Sequence, residues 1–200
     1  MPVKVNDVAN RCVTTSAVGY MCLALAIWMI SMTNAAWYDK VYAYGSALMI
    51  PLAVLLGMMG IFAYLHGRSL DAVVFFGGTG LVWSAHTASV AVAAAPAGEP
   101  LSYAGWYWAV WTVFFCYLWV GSFKAGIARQ LFLLGLTIAL GTLGLYDWMS
   151  LTVFRLISGY VGLISAVIAL VASAGEIIYF GREAHSPNDD RQAGQPQPTA

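Results

Sequence analysis

The chain has 200 residues, of which 60% are hydrophobic and 9% charged, and its nine Lys and Arg balance nine Asp and Glu. An ordinary soluble domain is about 25% charged, and a soluble domain of this length cannot hide so much apolar surface. The absence of a basic surplus excludes a nucleic-acid protein working through charge, the high hydrophobicity excludes a disordered chain, and an integral membrane protein is what remains.

A bilayer core about 30 Å thick needs roughly 20 apolar residues per helix. Six stretches of the chain meet that length: 13–32, 41–64, 70–94, 104–123, 127–146 and 156–180. None alternates polar and apolar at period two, so a transmembrane β-barrel is not expected. The connections are short and punctuated: Tyr38-Asp39-Lys40, His66-Gly67-Arg68-Ser69, the Pro- and Gly-containing run 95–100, Lys124-Ala125-Gly126 and Asp147-Trp148-Met149-Ser150. The expected fold is all-α, a polytopic membrane protein with six transmembrane helices over 13–182. A cytoplasmic segment 1–12 precedes it, and a Pro-, Gln- and Asn-rich tail 183–200, expected to be disordered, follows. The first stretch is long and lacks a small-residue cleavage pattern, so it reads as a retained span. With the N-terminus inside, Lys4, Arg11, Arg68, Lys124, Arg129, Arg182 and Arg191 fall on the inner side and only Lys40 and Arg155 on the outer. That bias places both termini in the cytoplasm; a multi-pass protein of the plasma membrane is expected.

Close packing in lipid relies on small residues. The sixth stretch carries two such stripes, Ser158/Gly162/Ala166 and Ser165/Ala169/Ser173, so this helix is expected at the centre with neighbours on both faces. Gly77, Gly78 and Gly80 in the third stretch and Gly135, Gly141 and Gly144 in the fifth serve either packing or a narrow passage. Pro51 should free a carbonyl or kink the second helix. Trp37, Tyr38, Tyr42, Tyr44, Tyr103, Trp106, Trp108, Tyr146 and Trp148 fall near the outer ends and read as an interfacial belt. Trp83 and Trp111 sit deeper, with a pore or a packing role open to them.

Ionisable residues at membrane depth point to function, and two stand out. His86 could carry a proton or be a neutral imidazole bonded to a neighbouring helix. Glu176 could gate a passage or accept a proton, or could pair with Lys124, Arg129 or Arg182. The three cysteines have no ligand spacing and the three histidines are dispersed, so no metal site and no cofactor is signalled. No enzyme motif of the GxSxG, HExxH, P-loop or paired-carboxylate kind appears. The residues alone describe a six-helix transporter or channel.

The second half also resembles the acetate uptake transporter family, the YaaH-type succinate–acetate permeases. Ser158-Gly159-Tyr160-Val161-Gly162-Leu163-Ile164 with Gly175-Glu176 is similar to the family's last helix, and Phe180-Gly181-Arg182 to its exit. Trp111-Thr112-Val113-Phe114 leading to Gly121-Ser122-Phe123-Lys124 resembles the fourth helix, and Leu136-Thr137-Ile138 the fifth. Gly60, Tyr64, Gly67, Phe75 and Trp83 match more loosely, and the likeness covers about 14–182.

This resemblance implies uptake of acetate or another short carboxylate, as a proton symporter or a channel, by a homohexamer with one passage per protomer. It implies a constriction at Leu23, at Gly78 or Thr79, and at Leu136, and a substrate-discriminating position at Ala169. The family's Asn-Pro-Ala-Pro-Leu-Gly-Leu run is replaced by Thr14-Thr15-Ser16-Ala17-Val18-Gly19-Tyr20, which offers hydroxyls in place of prolines, and a Gln and a Glu of its second helix appear as Leu56 and Ala63. The expected pathway is therefore Thr14, Thr15, Ser16, Gly19, Tyr20, Leu23, Gly78, Thr79, Trp83, Leu136 and Ala169, with Glu176 and His86 as gating or proton candidates. The competing expectations are a non-transporting oligomeric scaffold and a channel for another small solute with His86 as its relay.

Overall fold

The structure, a computed structural model, describes residues 5–37, 42–94 and 104–183, and the side chains at 15–37, 47–87 and 104–178. The expectations placed on the N-terminal segment, the tail, the side chain of Thr14, Tyr38, Tyr42, Tyr44, Tyr103 and Arg182 lie outside the described residues.

Six long helices make the fold: α1 Val5–Asn34, α2 Tyr42–Leu65, α3 Ser69–Ala94, α4 Ala104–Gly121, α5 Ile127–Met149 and α6 Thr152–Glu183, with a 3-10 turn Ser122–Lys124 between α4 and α5. No strand occurs among the described residues. Helices satisfy every backbone donor and acceptor internally, which is what an apolar solvent demands. Among the described residues, four are long and apolar enough to cross a bilayer by composition, over Thr15–Asn34, Ala47–Leu65, Ile127–Met149 and Thr152–Ile178. α4 is diluted by its Trp and Tyr residues, and α3 by Asp71 and its glycines. The protein is a multi-pass membrane protein.

The helix ends follow the local chemistry. Gly67 adopts φ +71, and there Gly67 N–H donates to Tyr64 O at 3.0 Å and Arg68 N–H to Ala63 O at 2.9 Å. This pair of bonds closes α2 in the way a left-handed glycine allows and turns the chain directly into α3. Pro51 lies on the exposed face of α2, which runs unbroken through it.

The helices form a ring. α1 packs on α2 and α6, α2 on α3, and α5 on both α4 and α6, while α3 meets α4 along a thinner seam. Small residues mark the crossings. Gly159 lies against the backbone of Asn34 and Ala35, Gly162 against Ser31, and Gly135 against Ser165. Ser173 Oγ donates to Ala17 O at 2.6 Å. α6 thus sits between α1 and α5, although its two small-residue stripes do not divide neatly between those neighbours. In the α3–α4 seam, Gly77 and Gly80 take the rings of Phe114 and Trp111.

The centre of the ring is filled. Tyr20, Leu23, Leu56, Phe75, Phe115, Phe132, Leu133, Leu136, Ala166 and Ala169 form one buried cluster. The outward faces are apolar too, with Val110, Val113, Tyr117, Ile164 and Val171 all exposed, as a helix facing hydrocarbon requires.

Candidate functional site

The starts of α3 and α5, the early part of α1 and the late part of α6 meet at one end of the ring. There Asp71, 2% exposed, stands in the first turn of α3, where a carboxylate is favoured by the helix dipole. Its Oδ2 pairs with Arg68 at 2.7 Å and accepts a long hydrogen bond from Ser16 Oγ at 3.4 Å. Its Oδ1 accepts the Tyr20 hydroxyl at 2.9 Å and faces Arg129 at 3.5 Å.

Arg129 occupies the first turn of α5, where the dipole opposes a cation, so it needs anionic company. Its Nη2 donates to Glu176 Oε1 at 2.8 Å and to Ser16 Oγ at 3.3 Å. Its guanidinium lies over the Tyr20 ring, 5.3 Å from the centroid, in cation–π range. The next residue secures the turn that aims it. Gln130 Nε2 folds back to donate to Phe123 O at 2.9 Å and Ala125 O at 3.2 Å, which anchors α5 to the 3-10 turn. Arg129 is thereby directed inward from a fixed helix start.

Tyr20 links this charged end to the apolar centre. Its ring stands edge-on to Phe75, with centroids 5.1 Å apart, and to Phe132 at 6.0 Å. Phe75 lies in turn over Gly19, where a Cβ would clash with the ring. Beyond the aromatic layer, Leu23 and Leu56 close over Gly78, with their methyl groups 2.9 and 2.8 Å from where a Cβ would stand. Leu136 joins the same cluster from α5.

Further toward the opposite end, a cavity is bounded by Ile27, Ser31, Asn34, Trp108, Leu136, Leu140 and Ser158. It encloses about 20 Å³, room for a single water, which needs about 10–15 Å³ by the same measure. Leu136 therefore lies between the filled centre and this cavity.

The sequence-predicted residues divide into two groups. Ser16, Tyr20, Leu23, Gly78, Leu136 and Ala169 are buried at or beside this axis, and Gly19 gives it room for Phe75. Glu176 is held by Arg129, one of its three anticipated partners. Thr79 turns elsewhere, donating to Phe75 O at 2.9 Å and reaching Ala53 O of α2 at 3.4 Å. Trp83 is 49% exposed and faces away from the core, and Thr15 and His86 are half-buried. His86 stands fifteen residues along α3 from Asp71, about 22 Å at the helical rise, so it belongs to the other end.

Sequence reasoning passed over Asp71, because it borders an apolar run and looks like the end of a loop. Arg68-x-x-Asp71, an i,i+3 pair at a helix start, was the available signal. The aromatic layer of Phe75 and Phe132 was likewise not singled out as part of the axis. Among the described residues, no three His, Cys, Asp or Glu side chains gather in a way that could hold a metal ion.

No protein-family model and no curated protein matches the chain by sequence. Among solved structures it is similar to the structure of the bacterial acetate channel SatP, at 16% identity, covering 82% of this chain and 92% of that one, with a TM-score of 0.76. The chain has the six-helix membrane fold of that channel, which is the fold implied by its sequence resemblance to the acetate uptake transporter family.

Proposed function

We propose that the chain conducts acetate or a similar short monocarboxylate across the plasma membrane, as a divergent member of the acetate uptake transporter family. The observation that carries this reading is the shared fold with an acetate channel over most of both chains. The charged end faces the cytoplasm, in keeping with the basic residues gathered there, and each protomer of a hexamer carries its own passage.

The chemistry along the axis suits this solute. A bare carboxylate is costly to bring into an apolar constriction. Leu23, Leu136 and the small residues Gly78 and Ala169 favour a small, weakly polar solute at the narrowest point. At the inner end, the hydroxyls of Ser16 and Tyr20 and the guanidinium of Arg129 supply donors to an anion. Thr15, next to Ser16 on α1, adds a further hydroxyl toward the inner mouth, and Thr14 precedes it in the sequence.

Labelled acetate uptake into proteoliposomes, corrected for leakage of acetic acid into empty liposomes, tests the reading. Saturable uptake above that leak, competed by other short carboxylates, is expected. Leu136→Phe should cut it at least tenfold in protein that remains folded, whereas unchanged uptake would remove Leu136 from the pathway. A second reading, a scaffold that kept the fold without transport, is favoured by one observation: side chains fill the centre, and Asp71 and Glu176 already neutralise Arg129. Uptake no faster than the leak, from folded protein, would establish that reading instead.

A further inference from the structure

We propose that Glu176 and Arg129 form an exchange site for a monocarboxylic acid, in which the acid gives its proton to Glu176 and its carboxylate to Arg129. The inference rests on the transport reading and names the residues of the inner end that would make passage charge-neutral.

The two carboxylates of the cluster differ in how they are held. Asp71 has Arg68, Tyr20, Ser16 and Arg129 around its two oxygens. It is held on both oxygens. Among the described residues, Glu176 has one polar partner, Arg129 at Oε1. Its Oε2 is buried and receives no hydrogen bond among the described residues. A buried carboxylate oxygen without a donor is costly, and an acid brought to it supplies the missing donor through its own proton. The same proton weakens the hold of Glu176 on Arg129 and leaves Nη2 with only the longer contact to Ser16.

The exchange balances. The O–H bond of the acid breaks, an O–H bond forms at Glu176 Oε2, and the new carboxylate replaces Oε1 on Arg129. Before it, Arg68 and Arg129 balance Asp71 and Glu176. After it, the bound carboxylate stands in for Glu176, so the cluster stays neutral and no uncompensated charge is buried. Among the described residues, the groups in contact with the pair are Ser16 and Tyr20 from α1 and Asp71 at the start of α3, with Arg68 behind Asp71. None of them repeats the loosely held geometry of Glu176. A dicarboxylate brings a second charge without a second such carboxylate to neutralise it, so the site selects monocarboxylates.

The test is acetate binding to the purified, detergent-solubilised full chain, by calorimetric titration between about pH 7.5 and 5.5, where acetate stays mostly anionic because carboxyl pKa values lie near 4. Uptake of one proton per anion tightens binding as the pH falls, by up to about tenfold per pH unit. Glu176→Gln should bind at least as tightly as the wild type at the acid end and lose the pH dependence. Glu176→Ala should lose it as well, and Arg129→Gln should lose binding. Wild-type affinity that ignores pH, or a slope that survives in both Glu176 variants, overturns the exchange. The parallel uptake assay separates the two ideas. Proton-linked binding without uptake keeps the exchange site and defeats transport, whereas uptake without proton-linked binding keeps transport and defeats the site.

Discussion

At the charged end of the ring, six side chains from α1, α3, α5, α6 and the residue preceding α3 meet within hydrogen-bond or ion-pair reach. At the opposite end, among the described residues, helices are joined by single polar contacts such as these two. Ser84 Oγ and Tyr107 OH lie 2.7 Å apart across the α3–α4 seam, and Arg155 Nη2 donates to Thr33 O at 2.9 Å, binding the start of α6 to the end of α1. Aromatic rings also pack there, as in the edge-on pairs Trp106–Trp148 and Trp37–Tyr160. The difference teaches where rigidity comes from in a bundle without an internal hydrophobic drive. One end is locked by a charge network in which each member depends on the others, and the other by contacts that can be removed one at a time.

Removing Asp71 should break that contrast most severely. Asp71→Ala takes away the anion that two arginines and two hydroxyls share, and leaves cations with too few partners. Breaking a buried pair in this way costs about 3–5 kcal/mol, which for a chain of this size lowers the unfolding midpoint by roughly 10 °C. Thermal unfolding in detergent measures it. A loss below about 1 kcal/mol would place these pairs with ordinary surface ion pairs, and the charged end would no longer be the locked one.

A second effect should be smaller and depend on what each glycine meets. A Cβ at Gly159 would run into the backbone of Asn34 and Ala35, with 2.6 Å to Ala35 Cα. That backbone cannot step aside without moving the end of α1. Gly159→Ala should therefore cost about 1–3 kcal/mol, as overpacking does. A Cβ at Gly162 meets the hydroxyl of Ser31, which can rotate away, so Gly162→Ala should cost less. Equal losses in the same unfolding assay would show that the α1–α6 crossing yields as a whole.

How much of this the sequence disclosed depends on distance along the chain. Apolar length and punctuation located the helices closely: the fifth stretch, read as 127–146, is Ile127–Met149, and the third begins one residue earlier than read. Depth along a helix was legible, but direction around it was not. Trp83 was placed correctly along α3, yet its neighbour Val82 is the buried one. The Glu176–Arg129 pair spans 47 residues and was one of three pairings that charge alone permitted. Asp71 stayed hidden because its significance lies in partners on α1 and α5, which no local pattern brings to α3. The constriction shows the same limit. Carrying the family position onto Gly78 left the space empty on paper, and only the packing shows that Leu23 and Leu56 close over it.

The smallest expected effect tests the loosely held end. Tyr107→Phe removes the contact with Ser84 across the thin seam. Ser84 Oγ also donates to Gly80 O at 2.5 Å, so its hydroxyl keeps a partner and no buried group is orphaned. Hydrogen bonds between membrane helices average about 0.6 kcal/mol, and the variant should lose no more than that. Ser84→Ala added to Tyr107→Phe should contribute little further, because the shared contact is already gone. A loss comparable to that of Asp71→Ala would mean that α3 and α4 depend on this one bond to close the ring. The two ends would then differ only in their chemistry and not in how firmly they hold.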